Sequence, residues 1–175
     1  MTNKPLGIQN IGNTCFISTI LLALFLNPPL VNFFEAMKSN SNMLCMLLKK
    51  SFDEYKTGLF KPIDLVVGIK QTLKQYNNIN QHDADEFMLT LLDYLLENLP
   101  MCFERHRINF GNEESKKTWG EHKNIISEIF QGQYCIQISC EKCKHTLYKY
   151  ENFYQIDVPY ESDLETTFKQ LLQSE

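Results

Sequence analysis

The sequence lacks three patterns that would each indicate a class of protein. No apolar run reaches the length that a membrane span needs, since the longest candidate, residues 20–26, ends at an Asn-Pro-Pro sequence. Lysines and arginines are scattered rather than clustered, and the formal net charge is -4. Internal repeats and low-complexity tracts are absent as well. We therefore expect neither a membrane partner nor a nucleic-acid partner.

The composition is typical of a soluble globular protein. The chain has 175 residues, of which 43% are hydrophobic and 22% charged, which suffices for one domain with a sizeable core. The 6 cysteines are too widely spaced to read as a dense disulfide framework. We expect a reducing compartment, the cytoplasm or the nucleus, with cysteines used for catalysis or for metal binding.

Helical patterns come first in the chain and strand patterns follow. Apolar residues recur at helical spacing in four segments: residues 15–26, 43–55, 63–73 and 82–99. Alternating residues then predict strands at 134–138 and 154–158, and a last short helix at 164–172. The polar stretch 104–124 is predicted to be a long surface loop. This order indicates an α+β protein.

Cys15 stands at the start of the first predicted helix, where Asn13 and Thr14 are candidate caps. The N-terminus of a helix favours a thiolate, which is the nucleophilic form of cysteine. Backbone N–H groups there, together with the amide of Asn10, could stabilise a tetrahedral oxyanion. The alternative is that Cys15 is a small core residue, the commoner role of a cysteine on an apolar helix.

The stretch GIQNIGNTCFI, residues 7–17, resembles the cysteine box of ubiquitin-specific proteases, the largest family of deubiquitinases. The resemblance implies that Cys15 is the nucleophile and Asn10 the oxyanion-hole side chain. Departures begin after Ile17. Ser18 and Thr19 stand where the family usually has Asn-Ser, and they concern the packing of the helix more than the chemistry.

The stretch QHDADEF, residues 81–87, is similar to the glutamine box of the same family. The resemblance implies that Gln81, Asp83 and Glu86 contact ubiquitin. The alternative is that the acidic residues only complement the helix dipole. His82 is expected to be an exposed residue of the first turn of the helix, with Asn80 as the cap, and not the catalytic base.

The pair Cys140 and Cys143 lies in a tight turn, which has the form of half a zinc ribbon. The segment 130–158 resembles the entry to the fingers subdomain of the family, where a second pair downstream completes the site. Cys135 and His145 are the other candidate ligands, and Cys135 is awkwardly placed on a strand. Since no second pair appears, we expect zinc binding to be weak or absent.

The three segments together imply a papain-like cysteine protease scaffold. A helical thumb would occupy roughly residues 5–100, and the start of the fingers and palm strands roughly residues 125–175. The implied reaction is hydrolysis of the bond after the ubiquitin C-terminus. The Gly-His-Tyr histidine box of the family does not occur in this sequence. The alternative is therefore an inactive ubiquitin-binding fragment or pseudoenzyme, and a second chain could supply the missing half.

Overall fold

A computed structural model describes residues 6–39, 41–100, 110–120, 124–158 and 163–173, the side chains of 171–173 excepted. The elements are helices α1 Cys15–Phe25, α2 Pro28–Ala36, α3 Met43–Thr57, α4 Pro62–Thr72, α5 Ala84–Asn98, α6 Glu113–Trp119, α7 Ile125–Phe130 and α8 Leu164–Gln173, and strands β1 Gly132–Ser139 and β2 Thr146–Phe153. A single 3₁₀ turn, Lys74–Tyr76, precedes α5. Helices first and antiparallel strands after them confirm the α+β prediction.

The chain divides into two compact units. A helical unit combines Met1–Ile108 with Glu121–Ile129, and a hairpin unit combines Asn109–Gly120 with Phe130–Glu175. The helical unit carries Cys15 and the acidic segment 81–87, whereas the hairpin unit carries the Cys140–Cys143 pair.

The core of the helical unit is built around α1, which is apolar on nearly every side. Phe25 packs edge-on against Phe52 of α3, with 4.8 Å between ring centroids, and Phe52 stacks on Phe34 of α2 at 4.4 Å. Each such buried ring contributes about 1.5–3 kcal/mol. Helices α3 and α4 approach closely at Gly68, where an added Cβ would lie 2.3 Å from Cδ1 of Leu47. The C-terminal end of α1 is therefore packed against α3.

The proline pair after α1 begins a helix that the sequence pattern does not predict. Asn27 adopts an extended conformation and its Oδ1 accepts a hydrogen bond from the N–H of Leu30 at 3.2 Å. Pro28 and Pro29 then occupy the first helical turn, where a missing N–H costs nothing. The same residues thus end α1 and cap α2.

The beginning of α5 differs from the predicted one. The helix starts at Ala84 rather than at His82, and Asp83 rather than Asn80 is the N-cap. Oδ1 of Asp83 accepts hydrogen bonds from the N–H groups of Asp85 at 2.7 Å and Glu86 at 3.3 Å. A carboxylate at this position satisfies two N–H groups at once and complements the helix dipole, which Asn80 cannot do.

The hairpin unit contains a two-stranded antiparallel sheet, with Gly132 opposite Phe153 and Ser139 opposite Thr146. The first predicted strand is present and longer than predicted. The second prediction, residues 154–158, is wrong, because those residues carry no strand and the second strand is 146–153. The tight turn returns the chain directly opposite β1, and this geometry fixes the register.

The predicted loop at 104–124 contains helix α6, which contradicts that prediction for residues 113–119. Asn112 caps α6, since its Oδ1 accepts a hydrogen bond from the N–H of Ser115 at 2.8 Å. The helix is held on the hairpin by Gln133, which donates to the carbonyl of Ser115 at 3.0 Å, and by Asn152, which donates to the carbonyl of Thr118 at 2.7 Å. Positions 104–109 and 121–123 lie outside the described residues.

No single helix in the described ranges has the length and apolar character to cross a membrane. Helices α1 and α2 meet the criterion only when taken together, and they are bent by 81° relative to each other.

Candidate functional site

The loop before α1 is folded around the side chain of Asn10. Its Oδ1 accepts hydrogen bonds from the N–H groups of Gly12 and Thr14, both at 3.2 Å, and from the hydroxyl of Thr14 at 2.9 Å. Gly12 and Asn13 both have positive φ angles, 100° and 47°, which turn the loop back on itself. Because the amide oxygen faces the loop, the Nδ2 group of Asn10 points away from those three donors. Asn10 itself is exposed, so this N–H₂ group is available as a donor.

Cys15 is the first residue of α1 and is exposed to solvent. Thr14 occupies the N-cap position, but neither it nor Asn13 caps the helix, contrary to the sequence analysis. The hydroxyl of Thr14 is instead buried in the loop, where it accepts the N–H of Ile11 at 3.2 Å. The first-turn N–H groups of α1 are thus left without a side-chain cap, at the end of the helix where positive charge accumulates. This arrangement suits an anion beside Cys15.

The cysteine loop and the acidic segment lie side by side in the helical unit. The side chain of Asn13 donates to the carbonyl oxygen of Ile79 at 2.8 Å. The ring of Phe16, next to Cys15, contacts the ring of His82 at 5.2 Å between centroids. Two motifs that are about 65 residues apart in the sequence therefore meet at the start of α1.

Gln81, Asp83 and Glu86 are all exposed on the same segment. One oxygen of Asp83 caps α5, so the presence of an acidic residue at this position can be explained without a ligand. Glu86 and Gln81 have no such capping role among the described contacts. Glu86 lies in the first turn of α5, where it also complements the helix dipole. Of the three predicted ubiquitin contacts, Gln81 is therefore the one for which the fold offers no alternative reason.

His82 lies before α5 and is half-buried, which corrects the expectation of an exposed residue in the first helical turn. It packs in a cluster of rings with Phe16, Tyr76 and Phe87, and its centroid lies 5.0 Å from that of Tyr76. Its Nε2 hydrogen bonds to Oδ1 of Asn78 at 2.9 Å. Asn78 could not be predicted from the sequence, since an asparagine in a polar loop carries no recognisable signal.

No histidine in the described part of the chain makes a hydrogen bond to the thiol of Cys15. His82 is paired with Asn78, and His145 lies in the hairpin unit. His106 and His122 lie outside the described residues. The described residues thus place an exposed thiol and uncapped N–H groups at the start of α1, with no histidine bonded to that thiol.

The Cys140–Cys143 turn is closed by backbone hydrogen bonds. The N–H of Lys144 donates to the carbonyl of Cys140, and the N–H of Cys140 donates to the carbonyl of His145, both at 2.8 Å. Hydrogen bonds from the N–H and thiol of Cys143 and from the N–H of Lys142 lower the pKa of the Cys140 thiol below its ordinary value. A turn whose N–H groups point at sulfur favours the thiolate.

These two cysteines do not form a complete zinc site with the described residues. No group of three or more His, Cys, Asp or Glu side chains in those ranges is arranged to hold a metal ion. Structural zinc takes four ligands in a tetrahedron, and this turn offers two. Cys135, on β1, stands opposite Tyr150 rather than in the turn.

Cys140 is expected to react with iodoacetamide faster in the folded chain than after unfolding in urea, when both are measured near pH 7. The pKa of the Cys140 thiol is lower in the folded chain than in the unfolded chain, so the reactive thiolate forms at lower pH. In a plot of reaction rate against pH, the midpoint is therefore expected at lower pH for the folded chain. Mass spectrometry after timed quenching, with a chelator present, gives the rate for each cysteine. Cys45 is the internal control, since burial raises its pKa to about 11 and it should stay unmodified until the chain unfolds. Equal midpoints in the two states would contradict the prediction.

Comparison with known proteins shows which family has these motifs. The sequence model of the ubiquitin carboxyl-terminal hydrolase family matches residues 6–171. The chain is 26% identical over 182 residues to ubiquitin carboxyl-terminal hydrolase 9 of Arabidopsis thaliana, covering 90% of this chain and 20% of that protein. It is 25% identical over 178 residues to ubiquitin carboxyl-terminal hydrolase 32 of Drosophila melanogaster, covering 87% of this chain and 10% of that protein. The chain spans a fifth or less of these relatives.

Solved structures show the same fold at lower sequence identity. The SAGA Ubp8/Sgf11/Sus1/Sgf73 DUB module bound to ubiquitin aldehyde aligns with a TM-score of 0.68 and 18% identity, over 94% of this chain and 37% of that chain. A structure of the module bound to monoubiquitin aligns with a TM-score of 0.69 and 18% identity, over 94% and 38%. The predicted papain-like scaffold is therefore confirmed. From the match over residues 6–171 and the shared fold, we conclude that this chain belongs to the ubiquitin carboxyl-terminal hydrolase family.

Proposed function

We propose that the chain carries the nucleophile of a thiol-dependent deubiquitinase, which hydrolyses the bond after the ubiquitin C-terminus with Cys15 attacking the carbonyl carbon. One observation carries the proposal: an exposed thiol stands at the uncapped start of a buried helix, beside an asparagine whose amide oxygen is already bonded. Family membership supplies the substrate class, since the relatives are ubiquitin hydrolases by name.

The chemistry follows from that arrangement. Attack by the Cys15 thiolate moves the carbonyl electrons onto oxygen and forms a tetrahedral oxyanion. The first-turn N–H groups of α1 and the Nδ2 group of Asn10 are the donors that would stabilise this charge. Losing one such donor typically costs about 10²–10³-fold in rate. Collapse of the intermediate expels the amine and leaves a thioester, which water then hydrolyses.

Full turnover also needs one group that acts first as a general base and then as a general acid. In cysteine proteases this is a histidine that accepts the thiol proton and donates one to the leaving amine. The described residues place none at Cys15. We propose that a histidine box, supplied downstream or by a partner chain, completes the site. The matched solved structures are of a module of several named subunits, so a similar protein is known in an assembly with other chains.

Ubiquitin is the proposed partner of the acidic segment. Gln81, Asp83 and Glu86 are exposed beside the cysteine loop, so a basic chain terminus entering the site would pass them. The solved relatives are recorded with ubiquitin aldehyde and with monoubiquitin. The five described cysteines are unpaired, which supports a reducing cytoplasmic or nuclear location.

The test is a ubiquitin probe with a C-terminal electrophile, incubated with the purified chain. We expect one adduct per chain on Cys15, and none with Cys15→Ala. Cys135→Ala is the matched control, because it removes an exposed thiol from the hairpin unit and should leave labelling intact. Adducts that persist in Cys15→Ala would refute the assignment of the nucleophile.

An inactive ubiquitin-binding protein is the second candidate, favoured by the lack of a histidine bonded to Cys15 among the described residues. It predicts ubiquitin binding without probe labelling. Titration of labelled ubiquitin into Cys15→Ala measures binding separately from chemistry. Two results together would favour this candidate over the enzyme: the wild type forms no adduct, and Glu86→Lys weakens ubiquitin binding.

A further inference from the structure

Asn13 adopts a backbone conformation that is uncommon for a residue other than glycine. Its φ angle is 47°, in the left-handed region, directly after Gly12 at φ 100°. Asparagine tolerates this region better than most residues, yet glycine would adopt it with less strain. Backbone geometry alone therefore does not explain an asparagine here, so its side chain needs a separate reason.

That reason is the hydrogen bond from Nδ2 of Asn13 to the carbonyl oxygen of Ile79, 2.8 Å long and spanning 66 positions of sequence. Within the described ranges it is the one hydrogen bond that joins the cysteine loop, residues 10–15, to the segment 77–83. Both residues are exposed, and the side chain of Ile79 is 84% exposed. The bond therefore adds little burial to the core.

The Ile79 end of this bond is anchored by its neighbour Asn78. The carbonyl of Asn78 accepts from Nζ of Lys70 at 2.9 Å, and its Nδ2 donates to the carbonyl of Gln75 at 2.9 Å. Its Oδ1 accepts the N–H of Asn80 and pairs with His82, each at 2.9 Å. Asn13 thus ties the cysteine loop to a segment that is itself fixed to α4 and to the ring cluster.

We propose that Asn13 is a positioning residue, which holds the turn carrying Asn10 and Cys15 in register with the segment that precedes α5. The inference rests on the proposed function. In this role Asn13 contacts neither the thiol nor the substrate, and it acts through the loop that Asn10 organises. Without it, Cys15 and the oxyanion donors would still be present but would sample more orientations relative to a bound carbonyl.

Two variants separate the hydrogen bond from the backbone conformation. Asn13→Gly keeps the left-handed turn and removes the donor. Asn13→Asp keeps the size and the tolerance for positive φ, but places a carboxylate against the carbonyl of Ile79. The matched control is Asn152→Asp in the hairpin unit, where an exposed asparagine likewise donates to a backbone carbonyl, that of Thr118 at 2.7 Å.

The first readout is the rate of Cys15 labelling by the ubiquitin probe as a function of probe concentration. Both Asn13 variants should lower the maximal rate by about tenfold, while the half-saturating concentration stays within about twofold. The Asn152→Asp control should change neither. An unchanged maximal rate would overturn the proposal, and so would a loss of labelling that merely follows a loss of folded protein in thermal melts.

The second readout does not require ubiquitin. Amide hydrogen exchange of Gly12 and Thr14, whose N–H groups bond to Asn10, should accelerate by about tenfold in both Asn13 variants. If the probe does not label the wild type, the proposed function has failed, and the hydrogen-exchange measurement alone tests the positioning role of Asn13. Faster exchange would then support the positioning role, and unchanged exchange would refute it.

Discussion

Replacing Phe87 with alanine is expected to lower the free energy of unfolding of the helical unit by about 3–5 kcal/mol. Phe87 is fully buried and its ring contacts Phe16 at 5.3 Å and Tyr76 at 5.2 Å, both edge-on. Truncation removes the ring and leaves a cavity between α1 and α5, beside the cysteine loop. Urea unfolding followed by helical circular dichroism gives the change.

Two further variants test the reason for this loss. Phe87→Leu keeps most of the volume and should cost about 1–1.5 kcal/mol. Phe168→Ala, on α8, removes a ring that is 42% exposed and should cost less than about 1 kcal/mol. If Phe87→Ala were no worse than Phe168→Ala, the ring cluster would not be the support of α1 that we describe.

Asn124→Ala should destabilise the same unit by about 2–4 kcal/mol, because this buried side chain satisfies the ends of two helices. Its Nδ2 donates to the carbonyls of Leu95 at 3.0 Å and Leu96 at 2.9 Å, near the C-terminus of α5. Its Oδ1 accepts the N–H of Ile126 at 3.0 Å, at the start of α7. Alanine leaves these buried carbonyl and N–H groups without their Asn124 partner, and a buried polar group that loses its hydrogen bond lowers the stability of the fold.

Asn124→Asp distinguishes the two helix ends. The carboxylate can still accept from Ile126, but it cannot donate to α5 and it brings negative charge to the negative end of that helix. It should therefore be at least as destabilising as alanine at neutral pH. Asn32→Ala, at an exposed site on α2, is the control and should change stability by less than about 0.5 kcal/mol. A loss below about 1 kcal/mol for both Asn124 variants would contradict the proposed capping role.

Periodic apolar residues allowed most helices to be predicted, whereas their ends depended on single polar side chains. The segment 43–55 lies within α3, and 15–26 matches α1 to within one residue. Helix α2 was not predicted and the start of α5 was misplaced, because both helix starts depend on a capping side chain. The caps are Asn27 and Asp83, and local geometry decides their hydrogen bonds. The second strand was misplaced because alternation at 154–158 competes with the register that the preceding turn imposes.

For the candidate site, the motif predicts which residues carry the chemistry but not how they are held. The structure places Cys15 at the first position of α1 and Asn10 in the loop before it, and their catalytic roles stay predictions. The contacts from Asn13 to Ile79 and from Asn78 to His82 could not be foreseen, since they join loop residues with no periodic pattern. Half-burial of His82 likewise results from ring packing that appears only in three dimensions.

The order of the two units along the chain bears on how the protein is made. The chain leaves the helical unit for α6 and returns to it for residues 121–129 before entering the hairpin. On the ribosome, the first five helices emerge well before the residue that caps the end of α5. Domains generally fold as units during synthesis, at about 5–20 residues per second. Until Asn124 emerges, the carbonyl groups of Leu95 and Leu96 at the end of α5 lack the donor that satisfies them in the folded unit.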